Sequence, residues 1–418
     1  MSRRLLSGAL ALLAAALPVA APAQVLSPQD SARGVTVESR ARTDFDPMGM
    51  RLGGFRLDGR GEVGGGYDSN LFGRSSNAKS SPLASQSGLM TLNSDWSRHA
   101  LGSLLSVSSR QYPQRGSIDW TDYAVGTQGR YDLGEGGRIE GRYRHSREHL
   151  DIYNVDVQGA GISKPVPYTS DDVQAALSQR FNRFSAFTAA QYRTYHFRDV
   201  MLGGTRNRMS QQSYQVAIGT LGSSYQVMPG REVVTTLRLQ DTSYFDRSAR
   251  GRDSITYEGT AGFIYDLDGV WQGRMNLGWR QRDYSSPQLK ALAGLAADGA
   301  LIWLPSYMTN VSLNVARTIE ESIRANAVGY TRTTGGIRLD HELLRNIILT
   351  GDLRLDHRSY QSPTQVATDI TTALGLRWLI NRNMALSAGY AQTRRLRGAG
   401  GINDYIRNIA DLRLAMML

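Results

Sequence analysis

The chain has 418 residues, 44 of them glycine and 20 tyrosine. At about 150 residues per domain a soluble chain of this length would form two or three domains. Three lysines (Lys79, Lys164 and Lys290) leave arginine with 45 of the 48 basic positions, and the formal charge is +11. The absence of cysteine excludes disulfides, thiolate metal sites, cysteine catalysis and a lipid-anchored cysteine. A mean hydropathy of −0.35, with no run of about 20 apolar residues beyond the N-terminus, excludes a bundle of membrane helices.

Arg3 and Arg4 precede an apolar run from Leu5 to Leu17, and Ala21-Pro22-Ala23 then offers a small-x-small cleavage site. This is the layout of a secretory signal peptide over residues 1–23, and the run is too short for a membrane span. Loss of Arg3 and Arg4 lowers the formal charge from +11 to +9. Residues 24–50 carry Ser27, Pro28, Asp30, Arg33, Arg40, Arg42, Asp44 and Pro47 with little apolar alternation. They read as an extended periplasmic lead-in without a core of its own, and residues 51–418 as one folded unit.

That unit has a period. Short turn clusters recur near Arg98, Glu135, Asn182, Pro229, Gly269, Pro305, Arg345 and Arg382, spaced by 37, 47, 47, 40, 36, 40 and 37 residues. Gly134-Glu135-Gly136-Gly137, Met228-Pro229-Gly230 and Asn381-Arg382-Asn383 have strong turn chemistry. A propeller blade of similar period would hold four short strands. Here each period holds two long ones, joined by a very short turn at one end and a longer loop at the other.

In chain order the predicted strands are 54–67, 87–97, 100–112, 119–132, 137–149 and 170–181, then 184–197, 211–226, 231–245, 254–267, 270–284 and 290–303. The series ends with 308–320, 328–342, 347–360, 366–379, 384–396 and 405–418. The alanine- and glycine-rich start of 290–303 leaves sixteen strands as the alternative to eighteen. With eighteen, both termini fall on the short-turn side. Within 346–358, Ile347, Leu349, Leu353 and Leu355 share one face, while Thr350, Asp352, Arg354, Asp356 and Arg358 share the other. Such alternation fits a soluble sandwich or a transmembrane antiparallel up-and-down β-barrel. Aromatic placement favours the barrel. Trp96, Phe181, Phe184, Trp271, Trp303 and Trp378 lie near the short turns. Tyr67, Tyr112, Tyr195, Tyr244, Tyr284, Tyr330, Tyr360 and Tyr390 lie near the long loops, as two interfacial girdles would. Ile406, Ala410, Leu412, Leu414, Met416 and Leu418 alternate to the last residue, as in a final strand carrying a signal for outer-membrane barrel assembly machinery.

Arg40, Arg42, Asp44-Phe45-Asp46-Pro47, Gly49, Arg51 and Gly53-Gly54-Phe55 precede Gly66-Tyr67-Asp68-Ser69-Asn70-Leu71-Phe72. This opening resembles the putative β-barrel porin 2 family, with Ser69 standing where the family pattern has a second Asp. The resemblance implies an outer-membrane location and a role as a porin or in exopolysaccharide export, often encoded beside exopolysaccharide genes. It supplies no catalytic residues.

If apolar residues meet lipid, the lumen face carries Arg130, Arg138, Arg142, Arg144, Arg274, Arg280, Arg282, Arg338, Arg354 and Arg377. Arginine rings in a pore favour anions, so these ten are candidate anion-binding positions, an acidic polysaccharide being one expected partner. Asp132, Glu140, Asp340, Asp352 and Asp356 share those faces, so the same arginines could instead pair within the wall. Dispersed charge on an exported barrel speaks against nucleic acid. A hydrolase is the rival class, with His145 and His149 as its candidates. His145 and Ser146 are adjacent, hence on opposite faces, and no third metal ligand accompanies the two histidines. Gly203-Gly204 and Gly335-Gly336 lack the strand–helix setting of a phosphate loop, so no cofactor is expected. A third reading is a non-conducting scaffold that docks a periplasmic export partner through residues 24–50.

Overall fold

The computed structural model describes residues 35–418 except 203–204, 268, 325–326, 362–363, 399–401 and 403. The expected signal peptide and residues 24–34 lie outside the described residues. Among those described, eighteen long strands form one closed antiparallel barrel. They are β1 (Phe55–Asp68), β2 (Ser81–Ser94), β3 (Ala100–Gln111), β4 (Trp120–Gly134), β5 (Gly137–Leu150) and β6 (Val166–Phe181). Next come β7 (Phe184–Phe197), β8 (Tyr214–Met228), β9 (Arg231–Tyr244), β10 (Ser254–Leu267), β11 (Trp271–Tyr284) and β12 (Leu292–Ser306). The last six are β13 (Thr309–Glu321), β14 (Gly329–Leu344), β15 (Ile347–Gln361), β16 (Thr364–Leu379), β17 (Met384–Gly398) and β18 (Ile406–Met417).

Each strand pairs with its chain neighbours, and β1 pairs with β18 from Arg60↔Met417 to Asp68↔Ile409, which closes the ring. Closure removes the exposed edge that would otherwise leave backbone groups unpaired in lipid. The strand expected at 290–303 is present from Leu292: β12 is hydrogen-bonded to β11 and to β13. Eighteen therefore stands over sixteen. The β2 and β6 strands begin earlier than the alternation suggested, at Ser81 and Val166.

One face of each strand is apolar and exposed. Leu237 is 65% and Leu374 62% exposed, values that only lipid contact reconciles with a stable wall. The other face points inward. On β15, Leu353 and Leu355 lie outside and Asp352, Arg354, Asp356 and Arg358 inside.

Trp96, Phe181, Phe184, Trp271, Trp303 and Trp378 are all exposed on the outer surface by the short turns, with Trp271 stacked on Trp303 at 5.2 Å. The loop-side tyrosines differ from expectation. Tyr67 and Tyr390 face outward, whereas Tyr112, Tyr244, Tyr330 and Tyr360 are buried inside the mouth. Their strand parity decides this: Tyr360 shares a face with Arg354, Asp356 and Arg358. The outward rings on that half are Tyr67, Tyr123, Tyr143, Tyr192, Tyr257 and Tyr390.

Candidate functional site

The lumen is the candidate site, and it is occupied at both ends by the chain itself. On the loop side, residues 151–165 between β5 and β6 turn inward and carry a short helix, α1 (Val155–Gly159). Asn154 caps it, its side-chain oxygen accepting from the Asp156 amide. Val155 and Val157 are fully buried. Val155 packs with Tyr330, Tyr360 and Ala367 on one side of the mouth, and Val157 with Leu150, Val166, Tyr168 and Phe197 on the other. Ile152 packs with Leu71, Leu83, Tyr112 and Ile409. The segment thus spans the opening.

Polar contacts fix it there. The Asp156 carboxylate accepts from the Tyr360 hydroxyl at 2.8 Å and the Ile323 amide at 3.1 Å, and forms an ion pair with Arg324 at 3.2 Å. Tyr153 donates to the Leu71 carbonyl at 2.7 Å, and Arg395 donates to the Tyr153 carbonyl at 2.9 Å. Burial pushes the Tyr153 hydroxyl well above the ordinary tyrosine range, so it remains a donor.

One arrangement recurs around this mouth: a carboxylate held by an arginine and a tyrosine together. Asp68 takes Arg407 and Tyr112, Glu321 takes Arg282 and Tyr244, and Glu320 takes Arg332 and Tyr330. Asp156 takes Arg324 and Tyr360, and Glu148 takes Arg144 and Tyr168. Each carboxylate is met by a charged and a neutral partner at once, which lets Asp68, Glu320, Glu321 and Asp156 sit nearly dry, while the Glu148–Arg144 pair stays partly solvated. The Gly66–Phe72 motif belongs here: Asp68 is fully buried, and its neighbour Asn70 receives the Arg74 amide and donates to the Ile406 carbonyl.

At the short-turn end, residues 35–49 fold back into the barrel. The composition of this lead-in argued against a core, but it borrows one from the wall: Val37 is 1% exposed, packed with Ile348, Leu379, Ala385 and Ala415. Asn310 accepts the Val37 amide at 2.9 Å. Arg42 pairs with Glu342 at 2.7 Å, and Glu38 with Arg338 at 2.6 Å. Gly49 (φ +68°) then turns the chain out to Met50–Leu52, which pairs with the start of β1. A Cβ at Gly49 would lie 2.6 Å from the Asp58 carboxylate, so both conformation and space require glycine there.

All ten candidate arginines face the lumen, and nine pair with carboxylates. Arg130 meets Asp132 at 3.1 Å, Arg138 meets Glu140 at 3.3 Å, Arg142 meets Asp172 at 3.7 Å and Arg144 meets Glu148 at 3.1 Å. Arg274 lies 3.8 Å from Asp298, and Arg280 and Arg282 contact Glu258 and Glu321. Arg338 reaches Asp340 at 3.0 Å as well as Glu38, and Arg354 reaches Asp352 at 3.6 Å. Arg377 makes no ion pair among the described residues. A cavity of about 290 Å³ remains beside Asn93, Gln128, Arg130, Glu140, Arg142 and Gln174 on the β2–β6 wall.

The two histidines are not brought together. His145 faces outward against Asp171 at 2.8 Å, while His149 is buried against Asp122 at 3.0 Å and stacked on Trp120. The residues that sequence reasoning missed are Glu38, Glu342, Asp156, Arg324 and Arg407. Only Arg407 had a readable signal, as an arginine on the same strand face as the other lumen charges.

A closed barrel with a lipid-facing surface and a charged lumen matches one family across its whole folded length. The model of putative beta-barrel porin 2 proteins covers residues 42–416. The chain belongs to that family. It is a porin-like protein of the Gram-negative outer membrane. No curated protein matches its sequence. Similar solved structures include a BenF-like porin from Pseudomonas fluorescens Pf-5, at 11% identity and TM-score 0.47 over 88% of this chain and 100% of that one. The outer-membrane protein opdK of Pseudomonas aeruginosa follows at 10% identity and TM-score 0.44, covering 87% and 98%. The copper transporter OprC is similar at 11% identity and TM-score 0.46, covering 88% and 81%.

Proposed function

We propose that this barrel is a conduit for acidic surface polysaccharide or other anionic solutes, serving exopolysaccharide export or solute passage. The observation that supports it is the lumen face, which carries the ten candidate arginines, nine paired with carboxylates and Arg377 without an ion pair among the described residues. Arginine forks recognise carboxylates with two parallel hydrogen bonds, so a carboxylated chain can exchange with wall carboxylates as it moves. The ten lumen arginines, Arg377 first, are the proposed contacts, and the final strand, with Leu412, Met416 and Leu418 outward, is proposed to be read by the outer-membrane assembly machinery. Residues 1–23 are proposed to direct export.

Planar-bilayer recording tests this. The mature chain should pass little current, and a variant lacking residues 24–46 and 154–160 should conduct with a reversal potential on the anion side. A silent or cation-selective variant overturns the reading. The occupied ends also favour a second one, a scaffold that docks a periplasmic export partner through its lead-in. Deleting 24–46 would then abolish polysaccharide export without impairing insertion.

A further inference from the structure

The segment in the short-turn mouth is built as a ligand is built. Its one lumen-directed carboxylate, Glu38, accepts from Arg338 at 2.6 Å, and neither side chain is deeply buried. Arg377 stands beside this contact. It is the register partner of Ile348 and lies two residues before Leu379, both of which line the pit that holds Val37. Its charge acts most strongly on Glu38 among carboxylates, and it stands among Arg42, Arg60 and Arg338. Arg338 thus holds the carboxylate directly, while Arg377 stands near it with no ion-pair partner of its own among the described residues.

The remaining anchors are of ordinary size. They are Val37 in a pit with Phe45 packed against the same cluster, one amide on Asn310, Arg42 and Arg40 on Glu342, and Arg40 on the Tyr307 carbonyl. No covalent link holds the segment, since the chain contains no cysteine. At its far end Arg382 donates to the Thr43 carbonyl at 3.0 Å in exposed surroundings, and Arg56 donates to the Pro47 carbonyl at 3.4 Å.

We propose that Arg338 and Arg377 form a carboxylate-binding site on the lumen wall, that Glu38 occupies it in the resting barrel, and that a carboxylated glycan displaces the segment by competing for it. The site's ligand class follows from its occupant: a carboxylate on a flexible backbone, flanked by neutral groups. This deepens the conduit reading and rests on it only for the route the ligand then takes.

The test uses the full mature chain in detergent with one reporter, Val37→Cys, against a background free of other thiols. Val37 is buried, so a bulky maleimide labels it only when the segment leaves. Oligogalacturonate should accelerate labelling at least tenfold in a saturable manner, while neutral maltodextrin and sodium chloride of equal ionic strength should not. Adding Glu38→Gln should raise labelling about tenfold without ligand, as loss of one charge-assisted hydrogen bond implies. Adding Arg377→Gln should raise the oligogalacturonate concentration needed about tenfold. Heat-shifted gel mobility checks that each variant is folded. If Glu38→Gln leaves labelling unchanged, or if salt alone reproduces the oligogalacturonate effect, the proposal falls. If the segment yields to oligogalacturonate yet the unplugged barrel carries no current, the site stands and the conduit reading falls. A cross-link between Thr43→Cys and Arg382→Cys, made with a short bifunctional thiol reagent, should abolish the acceleration; persistence of the acceleration overturns displacement.

Discussion

The barrel's seam makes the sharpest stability prediction. Asp68, at the loop-side end of the β1–β18 pair, is fully buried and opposite Ile409. Its carboxylate accepts from Arg407 at 2.6 Å, the Asn70 amide at 3.0 Å and the Tyr112 hydroxyl at 3.2 Å. Arg407 in turn lies over the Tyr153 ring at 3.7 Å, so the pair ties the seam to the inward loop. Asp68→Asn keeps one oxygen, enough for the Asn70 amide on Oδ1 or the Tyr112 hydroxyl on Oδ2 but not both, and leaves a buried guanidinium without its counter-charge. Removing one partner of such a pair costs about 3–5 kcal/mol, whereas replacing both with apolar residues of similar volume costs much less. The exposed pair Arg51–Asp95, at 3.7 Å, should contribute about 0–1 kcal/mol by the same measurement. Urea unfolding in detergent micelles, followed by tryptophan fluorescence, would compare Asp68→Asn, Asp68→Leu with Arg407→Met, and Arg51→Ala. The expected order is a large loss, a recovery and no resolvable effect. If Asp68→Asn costs under about 1 kcal/mol, or the double variant is no better than the single, the seam is not held by this pair.

Three further outcomes follow from the same geometry. Arg282→Gln should destabilise by about 3–5 kcal/mol, since it strands buried Glu321, while Arg377→Gln should leave stability nearly unchanged and shift the reversal potential of the unplugged barrel toward cations. Asp156→Asn removes a charge that holds Arg324 and should raise protease cleavage within 151–165, without changing the urea midpoint of the wall if the inward loop opens locally. In the outer loop after β9, the Ser248 hydroxyl and amide hold the Asp246 carboxyl below its usual range. That capped turn is therefore fully present above the unfolded value and is lost only as the pH falls through the lower folded one. Pepsin nicking beside Phe245 should rise late in a titration from about pH 5 to about pH 2.

The wall was legible because its physics is local. Leu349 through Asp356 alternate, and turn residues such as Gly134 and Asn182 take the positive φ that a tight hairpin demands. The lower girdle was legible for the same reason. Tyr112, Tyr244, Tyr330 and Tyr360 depart from the expected girdle because burial inside the wall, not nearness to a loop, places their rings. Tyr330 shares a face with Arg332 and Arg338, and that alone places its ring inside. The two inward segments were not legible. Val37 finds its pit on strands about 300 residues away, and Asn310 accepts its amide across 273 positions. Neither contact has a local signature. Likewise α1 is five residues long and held by Asp156, Tyr360 and Arg324, partners that only closure of the barrel brings into one place.

The two closures also divide the lumen unequally, and that bears on what moves through it. The short-turn segment lies against β13 to β18, through Asn310, Arg338, Ile348, Leu379, Ala385 and Ala415. The open cavity lies against the opposite wall, where Arg130 and Arg142 pair loosely with Asp132 and Asp172. Arg142 remains 43% exposed with its partner 3.7 Å away, whereas Arg282 is 2% exposed. Solvated pairs of the first kind are weak, screened by salt and able to exchange partners; buried pairs of the second kind are neither. Under the proposed conduit reading, the arginines freest to exchange onto an anion are therefore those of the β2–β6 wall and Arg377, while Arg280 and Arg282 are the most tightly held of the ten by their own carboxylates. Under that same proposal, Arg377 becomes available to an anion from the short-turn side once Glu38 leaves Arg338.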